Sequence, residues 1–315
     1  MSSPHTVGIF PASGGIGGGT AKHILTRLPP TDLVFIARHL EKLASYKAIG
    51  VEVRQADYDD DAALETAFHG IKTLFLISYA SVEHQYRSQR HMAAIDAAIG
   101  CGVKHIFYGS LGFAGSPDSK ESVAHVMQAH LDTEKYLETC RQNHTGFSYT
   151  IVREGLYSES YPLYTAFFDP GNPQTEIKIP HDGSGPGIAW VKREELGEGT
   201  AELISRFVNR PAEFQWKNKT VLLSGQKTLT LAETVAVLGV IAKAPVQIKQ
   251  VSNDEFAAQP EVYPNFTYRG VDLSKPWATA FEAFRRGEGA WVSPLLKELL
   301  GREPEDFKTT IQHSL

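Results

Sequence analysis

The stretch Val7-Gly8-Ile9-Phe10-Pro11-Ala12-Ser13-Gly14-Gly15-Ile16-Gly17 decides the fold. An apolar run enters a glycine-rich turn, and a segment of helical periodicity follows. Read as a strand over 6–10, a turn, and a helix over 16–28, it is the first βα step of a nucleotide-binding sheet. Glycine is required where backbone approaches a diphosphate and where the helix packs closely on its strand. The helix N-terminus offers the phosphates unpaired N–H groups and the positive end of its dipole. The spacing fits G-x-x-G-x-x-G with Pro11 in the first position and Gly14 and Gly17 in the others. Pro11, Ser13, Gly14, Gly15, Ile16 and Gly17 form the expected cradle. Pro11 departs from the pattern, because it fixes φ and removes one donor.

Downstream, short apolar runs alternate with helical patterns, the signature of βαβ units. Strands are expected at 33–37, 51–55, 73–78, 105–110 and 148–153, and helices at 40–49, 60–69, 84–100 and 123–143. Several strands, such as Leu74-Phe75-Leu76-Ile77, are apolar on successive residues, as strands covered on both faces are. Right-handed crossovers then give an α/β fold, a Rossmann-type doubly wound parallel sheet ordered 3-2-1-4-5-6. The expected division is a dinucleotide-binding domain over 1–156 and a mixed region over 157–315. Part of the latter, about 188–226, returns to the sheet with a strand at 220–224, and the rest forms a small C-terminal substrate lobe. In it, 157–187 reads as aromatic and Pro/Gly-rich loop, 228–241 and 253–259 as helices, 246–251 as a strand, and 277–300 as helical.

The second strand ends Phe35-Ile36-Ala37-Arg38-His39, without the acid that binds ribose hydroxyls in NAD-selective proteins. Arg38 instead offers a planar cation for a 2′-phosphate, which points to NADP(H). The alternative for Arg38 is a solvated surface charge. Asp57, after the third strand, is placed to meet the adenine or to cap the next helix.

A formal charge of −5 over 315 residues argues against nucleic-acid binding. No run approaches the ~20 apolar residues of a membrane span. Met1–Thr6 lacks the start of a secretory signal, and Cys101 and Cys140 stand alone, which reads as cytoplasmic. No metal-ligand spacing is present, so no metal is expected.

Further stretches carry a family resemblance: Gly50-Val51-Glu52-Val53-Arg54-Gln55-Ala56-Asp57-Tyr58, Leu76-Ile77-Ser78, Gly102-Val103-Lys104-His105 and Ser110-Leu111. His130-x-x-Thr133-Glu134-Lys135-x-Leu137 and Tyr149-Thr150-Ile151-Val152-Arg153-x-Gly155-x-Tyr157-Ser158-Glu159 complete the set. The chain resembles the NmrA-like branch of the atypical short-chain dehydrogenase/reductases. It looks most like bacterial NADPH:quinone oxidoreductases of the second type and triphenylmethane reductase. The likeness weakens after about residue 187. It implies that Gly14, Gly17, Arg38, Asp57, Tyr58, Ile77, Ser78, Lys135 and the loop Glu154, Gly155, Leu156 and Tyr157 line the cofactor. Lys135 would meet the nicotinamide ribose; its alternative is an exposed charge beside Glu134 or Glu138.

The wider superfamily often uses Tyr-x-x-x-Lys, in which the phenol donates a proton to a developing alkoxide. Here Leu131 stands four residues before Lys135, so that acid is missing. Catalytic candidates are Ser110, Tyr79, Tyr157, His130 and Lys135, with Tyr161 and Tyr164 as an aromatic wall. Each has a structural alternative: a cap for Ser110, a satisfied helix residue for His130, lobe core for Tyr161 and Tyr164. The implied activity is NADPH-dependent reduction of a planar, aromatic, quinone- or carbonyl-like small molecule by a monomer or homodimer. Two alternatives are a non-redox cyclase or isomerase of a biosynthetic intermediate, and a non-catalytic NADP(H)-sensing regulator.

Overall fold

The computed structural model describes residues 7–315; Met1–Thr6, and with them the start of the expected first strand, lie outside it. The first half alternates as expected: β1 (Val7–Phe10), α1 (Gly15–Ile24), β2 (Leu33–Ala37), α2 (Ala44–Ala48), β3 (Glu52–Gln55) and α3 (Asp61–Phe68). There follow β4 (Thr73–Ile77), α4 (His84–Gly100), β5 (His105–Leu111), α5 (His125–Asn143) and β6 (Ser148–Glu154). The second half holds β7 (Glu176–Ile179), α6 (Arg193–Asn209), β8 (Lys219–Leu223), α7 (Leu231–Ala242), β9 (Gln247–Gln250) and α8 (Asn253–Ala257). The hairpin β10 (Thr267–Tyr268) and β11 (Val271–Asp272) precedes α9 (Ser274–Arg285), α10 (Leu295–Leu300) and α11 (Phe307–Ser314).

Seven strands form one parallel sheet in the order β3-β2-β1-β4-β5-β6-β8. It is the expected Rossmann-type sheet with the returning strand at its far edge. Alternation along the strands sorts the core. Val7, Ile9, Phe35 and Phe75 meet α1 and α6 on one face, while Val34, Ile36, Leu74 and Leu76 meet α3, α4 and α5 on the other. Each such fully buried aliphatic or aromatic side chain contributes about 1.5–3 kcal/mol.

Helix α6 was not expected from sequence, because Gly197 and Gly199 weaken its helical signal. Gly197 is there for contact: a Cβ would come within 2.7 Å of the Gly19 backbone on α1. The expected helix over 40–49 is a 3₁₀ turn, Leu40–Leu43, followed by the short α2. The helical region over 277–300 is broken between α9 and α10, where Gly287 turns the chain at φ 74°. The loop expected over 157–187 contains a 3₁₀ segment, Ser158–Tyr164, and strand β7, which pairs in parallel with β9 outside the main sheet.

A third apolar cluster, including Phe113, Tyr164, Trp190, Trp277, Phe281 and Phe284, lies beyond the carboxyl edge. Phe113 follows β5 and Tyr164 follows β6, so the loops leaving those strands run directly into it. No helix among the described residues is long and apolar enough to cross a membrane.

Candidate functional site

Strand β1 delivers the chain to the carboxyl edge, and α1 starts behind the turn. Asp60 closes the start of α3 by accepting from Ala63 N at 3.0 Å, and Glu83 closes α4 by accepting from Gln85 and Tyr86. Gly14, at the same position of α1, supplies no side-chain cap. The first N–H groups of α1 are therefore left for an outside acceptor. A Cβ on Gly17 would lie 1.9 Å from Pro11 O and 2.8 Å from Ile77 Cδ1, so only glycine lets the helix sit this close. A Cβ on Gly14 would meet nothing within 4 Å, so the space beside the turn is open there. Pro11 through Gly17 thus fit a diphosphate. Arg193, at the start of α6, overhangs them, its Cδ 3.8 Å from where a Cβ on Gly15 would be. No spacing rule singled out Arg193, because it belongs to a helix the sequence concealed.

Arg38 leaves the end of β2 with an exposed side chain, its Nη1 3.9 Å from Asp57 Oδ2. The two groups stand together at the carboxyl ends of adjacent strands. Asp57 is not the helix cap, a role filled by Asp60. Tyr58 is buried and donates its hydroxyl to Ile77 O, so its side chain braces the end of β4 and is not among the residues lining the cavity that Ile77 helps to form.

Ile16, from the turn, and Ile77, at the end of β4, line a cavity of ≈ 440 Å³. Its walls bring together Ser78, Tyr79, Ser110, His130, Glu154, Leu156 and Tyr157, with Leu163, Tyr164 and Trp277 from the third apolar cluster. Tyr161 is not among them; it packs on Phe307 within that cluster.

Most polar candidates are already engaged. Ser110 Oγ donates to Glu134 Oε1 at 2.7 Å, and Glu134 is gripped by Arg153 through Nε at 3.0 Å and Nη2 at 2.7 Å. Tyr79 OH is bonded to Asp59 Oδ2 at 3.1 Å and to Tyr268 OH at 2.6 Å, which ties the β10–β11 hairpin to the loop after β4. His130 Nδ1 lies 3.1 Å from Tyr108 OH, and its Nε2 accepts from Arg87 Nη2 at 2.6 Å. Burial, reinforced by the Arg87 charge, holds His130 well below the usual histidine range, so it is neutral. Tyr157 is different. Its hydroxyl makes no hydrogen bond among the described residues, and burial pushes its phenol well up, with Glu154 adding to the shift.

Glu154 is buried on the α6 side of β6, where Thr200 Oγ1 donates to Oε1 at 2.8 Å and Oε2 has no partner. Burial pushes its carboxyl up to about 8, so it carries a proton at neutral pH.

Lys135 is not brought to this cavity. The inward face of α5 carries His130, Thr133, Glu134 and Leu137. One residue on, a ~100° turn of the helix carries Lys135 outward. It is exposed and opens onto a separate surface cavity with Leu131, Glu138 and Tyr149.

Arg87 and His91 were missed by the sequence reading. Both are buried on α4 and share a face with Ala94, Ile95 and Ala98. Charged or titratable residues on a core-facing stripe were the available signal.

A curated NmrA-like family domain-containing oxidoreductase of Aspergillus flavus, flvB, is 29% identical over 298 residues, covering 93% of this chain and 89% of that protein. Quinone oxidoreductase 2 of Escherichia coli is 32% identical over 252 residues, 80% of each chain. Among solved structures, the triphenylmethane reductase of Citrobacter sp. complexed with NADP(H) superposes with a TM-score of 0.76 at 26% identity, covering 98% of this chain and 100% of that one. Residues 3–270 match the NmrA-like family, and the chain belongs to it.

Proposed function

We propose that this protein is an NADPH-dependent reductase of a planar quinone- or carbonyl-like small molecule. The observation that carries this reading is the continuity of the diphosphate turn, the Arg38–Asp57 pair and an aromatic-walled cavity along one carboxyl edge. The relatives named above, a quinone oxidoreductase and a reductase crystallised with NADP(H), support it.

In this reading the amides behind Gly14 and the Arg193 side chain hold the diphosphate, and Arg38 holds the 2′-phosphate. NADPH, when bound, supplies the hydride. Ile16 and Ile77 line the cavity on the side of the turn, while Leu163, Tyr164 and Trp277 wall it from the lobe and select a flat substrate. Tyr157, kept protonated by burial and with a free hydroxyl, holds the proton. Apart from Arg193, the cofactor is held by the domain over 1–156, and within 157–315 the part outside about 188–226 supplies the substrate wall.

The test is to mix the protein with NADPH and a panel of quinones, aldehydes and cationic dyes and follow the reduced nicotinamide absorbance. Consumption that depends on a planar acceptor supports the reading. Turnover of a substrate without net cofactor oxidation replaces it with the non-redox alternative.

A further inference from the structure

Two guanidinium groups are buried beneath the carboxyl edge, and they are not alike. Arg153, 0% exposed, has Glu134 as its counter-ion and donates to two carbonyls besides. Arg87, 5% exposed, has only neutral acceptors: Ser78 Oγ at 3.0 and 2.6 Å, Val126 O at 3.0 Å and His130 Nε2 at 2.6 Å. No carboxylate offsets its charge among the described residues. These contacts use four of the five N–H donors of a guanidinium.

A buried cation without a counter-ion is costly, and the cost falls when an anion arrives. Here the surroundings keep the charge unbalanced. His130 is neutral, and so is His91, whose Nε2 accepts from Tyr79 N at 2.8 Å. Arg87, Ser78, Val126 and His130 all line the same cavity. In that low-dielectric setting a fixed cation acts far more strongly on a developing charge than it would in water.

We propose that Arg87 is the oxyanion-binding residue of the cavity: it holds the negative oxygen of a phenolate- or enolate-like ligand lying against Ser78 and His130. The catalytic half of this proposal rests on the reductase reading. A substrate carbonyl that accepts hydride at its conjugated carbon passes its π pair to oxygen, and NADPH leaves as NADP⁺. The oxyanion faces Arg87 until a proton from solvent or a nearby hydroxyl neutralises it. Arg87 thereby does electrostatically part of what the missing Tyr-x-x-x-Lys phenol would do by proton donation.

The anion-binding half is tested without turnover, by titrating NADP⁺-saturated protein with 4-nitrophenol and with its uncharged ether, 4-nitroanisole. The wild type should take up 4-nitrophenol as the phenolate, lowering the apparent pKa of the bound phenol. R87M should lose ~10- to 100-fold of phenolate affinity while nitroanisole affinity is kept, and R87K should restore part of the preference. With a quinone that the wild type reduces, R87M should lower kcat/KM by ~10²-fold. The wild-type measurement stands by itself if R87M does not fold. Wild-type protein that ignores the phenolate, or prefers the ether, overturns the proposal. So does R87M losing both probes equally, the mark of a structural role. Phenolate preference without NADPH consumption on any acceptor keeps the anion site and sinks the reductase reading instead.

Discussion

The two ends of the groove are built from different material. At the glycine turn the candidate parts are backbone amides and missing side chains within the eleven residues from Val7 to Gly17, with Arg193 reaching over them from α6. At the cavity end they are side chains from β4, α4, β5, α5 and β6, joined across distances such as 24 residues for Ser110–Glu134 and 43 for Arg87–His130. A backbone site depends on local conformation and can be read from spacing. A side-chain site depends on which hydroxyls and charges its neighbours have already claimed. Ser110 and His130 are where a catalytic residue belongs, and both are committed elsewhere.

The largest expected effect comes from breaking the most committed contact at the cavity end. E134A leaves the Arg153 guanidinium buried without its counter-ion and should cost about 3–5 kcal/mol in urea unfolding. The double variant E134L/R153M should recover most of that loss. Equal destabilisation by single and double variants would show that the pair is less dry and less coupled than its geometry indicates.

Glu154 gives the next effect, and it appears as a pH dependence. Its carboxyl stands at about 8 in the folded chain against an ordinary value of 4.5. Between those values the folded state holds a proton that the unfolded chain has released, so stability falls as pH rises through the window. From pH 6 to pH 8 the loss should be about 2 kcal/mol. E154Q keeps an acceptor for Thr200 and cannot ionise, so its unfolding free energy should change less with pH there. Parallel slopes for wild type and variant would mean that another group titrates.

These contrasts explain what was legible. The sheet order followed from apolar runs at strand spacing and right-handed crossovers, and the close approach of α1 to β1 from the glycine at 17. Helix α6 was hidden because the glycines that let it touch α1 are the residues that weaken helical signal. Arg193 was hidden with it. Arg87 was visible only as an anomaly on the buried face of α4, and no spacing rule reports whether a buried arginine has a counter-ion. Lys135 shows the reverse case, a residue placed by resemblance whose rotation about α5 carries it outward.

A smaller effect separates two arginines at the diphosphate end. R38A should weaken NADPH binding about tenfold or more and leave NADH nearly unchanged, since only the former carries the 2′-phosphate. R193A should weaken both cofactors alike, because the diphosphate is common to them. Calorimetric titration of each variant with each cofactor decides it. Equal losses for R38A would return Arg38 to a solvated surface charge.

The smallest expected effect bears hardest on the comparison. If Lys135 met the nicotinamide ribose, K135A would remove charged hydrogen bonds worth about 1.5–3 kcal/mol and cut NADPH affinity more than tenfold. The structure instead leaves Lys135 exposed beside Glu138, in a cavity that shares none of the residues lining the candidate site. Glu138 is taken by Arg141 and Tyr149, and a solvent-exposed charge such as Lys135 contributes about 0–1 kcal/mol at most, which salt screens. K135A should therefore change NADPH affinity less than about threefold, with unfolding shifted by less than about 0.5 kcal/mol. A tenfold loss specific to cofactor would mean that α5 rotates by about a quarter turn when cofactor binds, carrying Lys135 inward. Glu134 would then have to leave Arg153, so the same rotation predicts that E134A alters cofactor affinity as well as stability. The two variants together distinguish a fixed helix from one that turns.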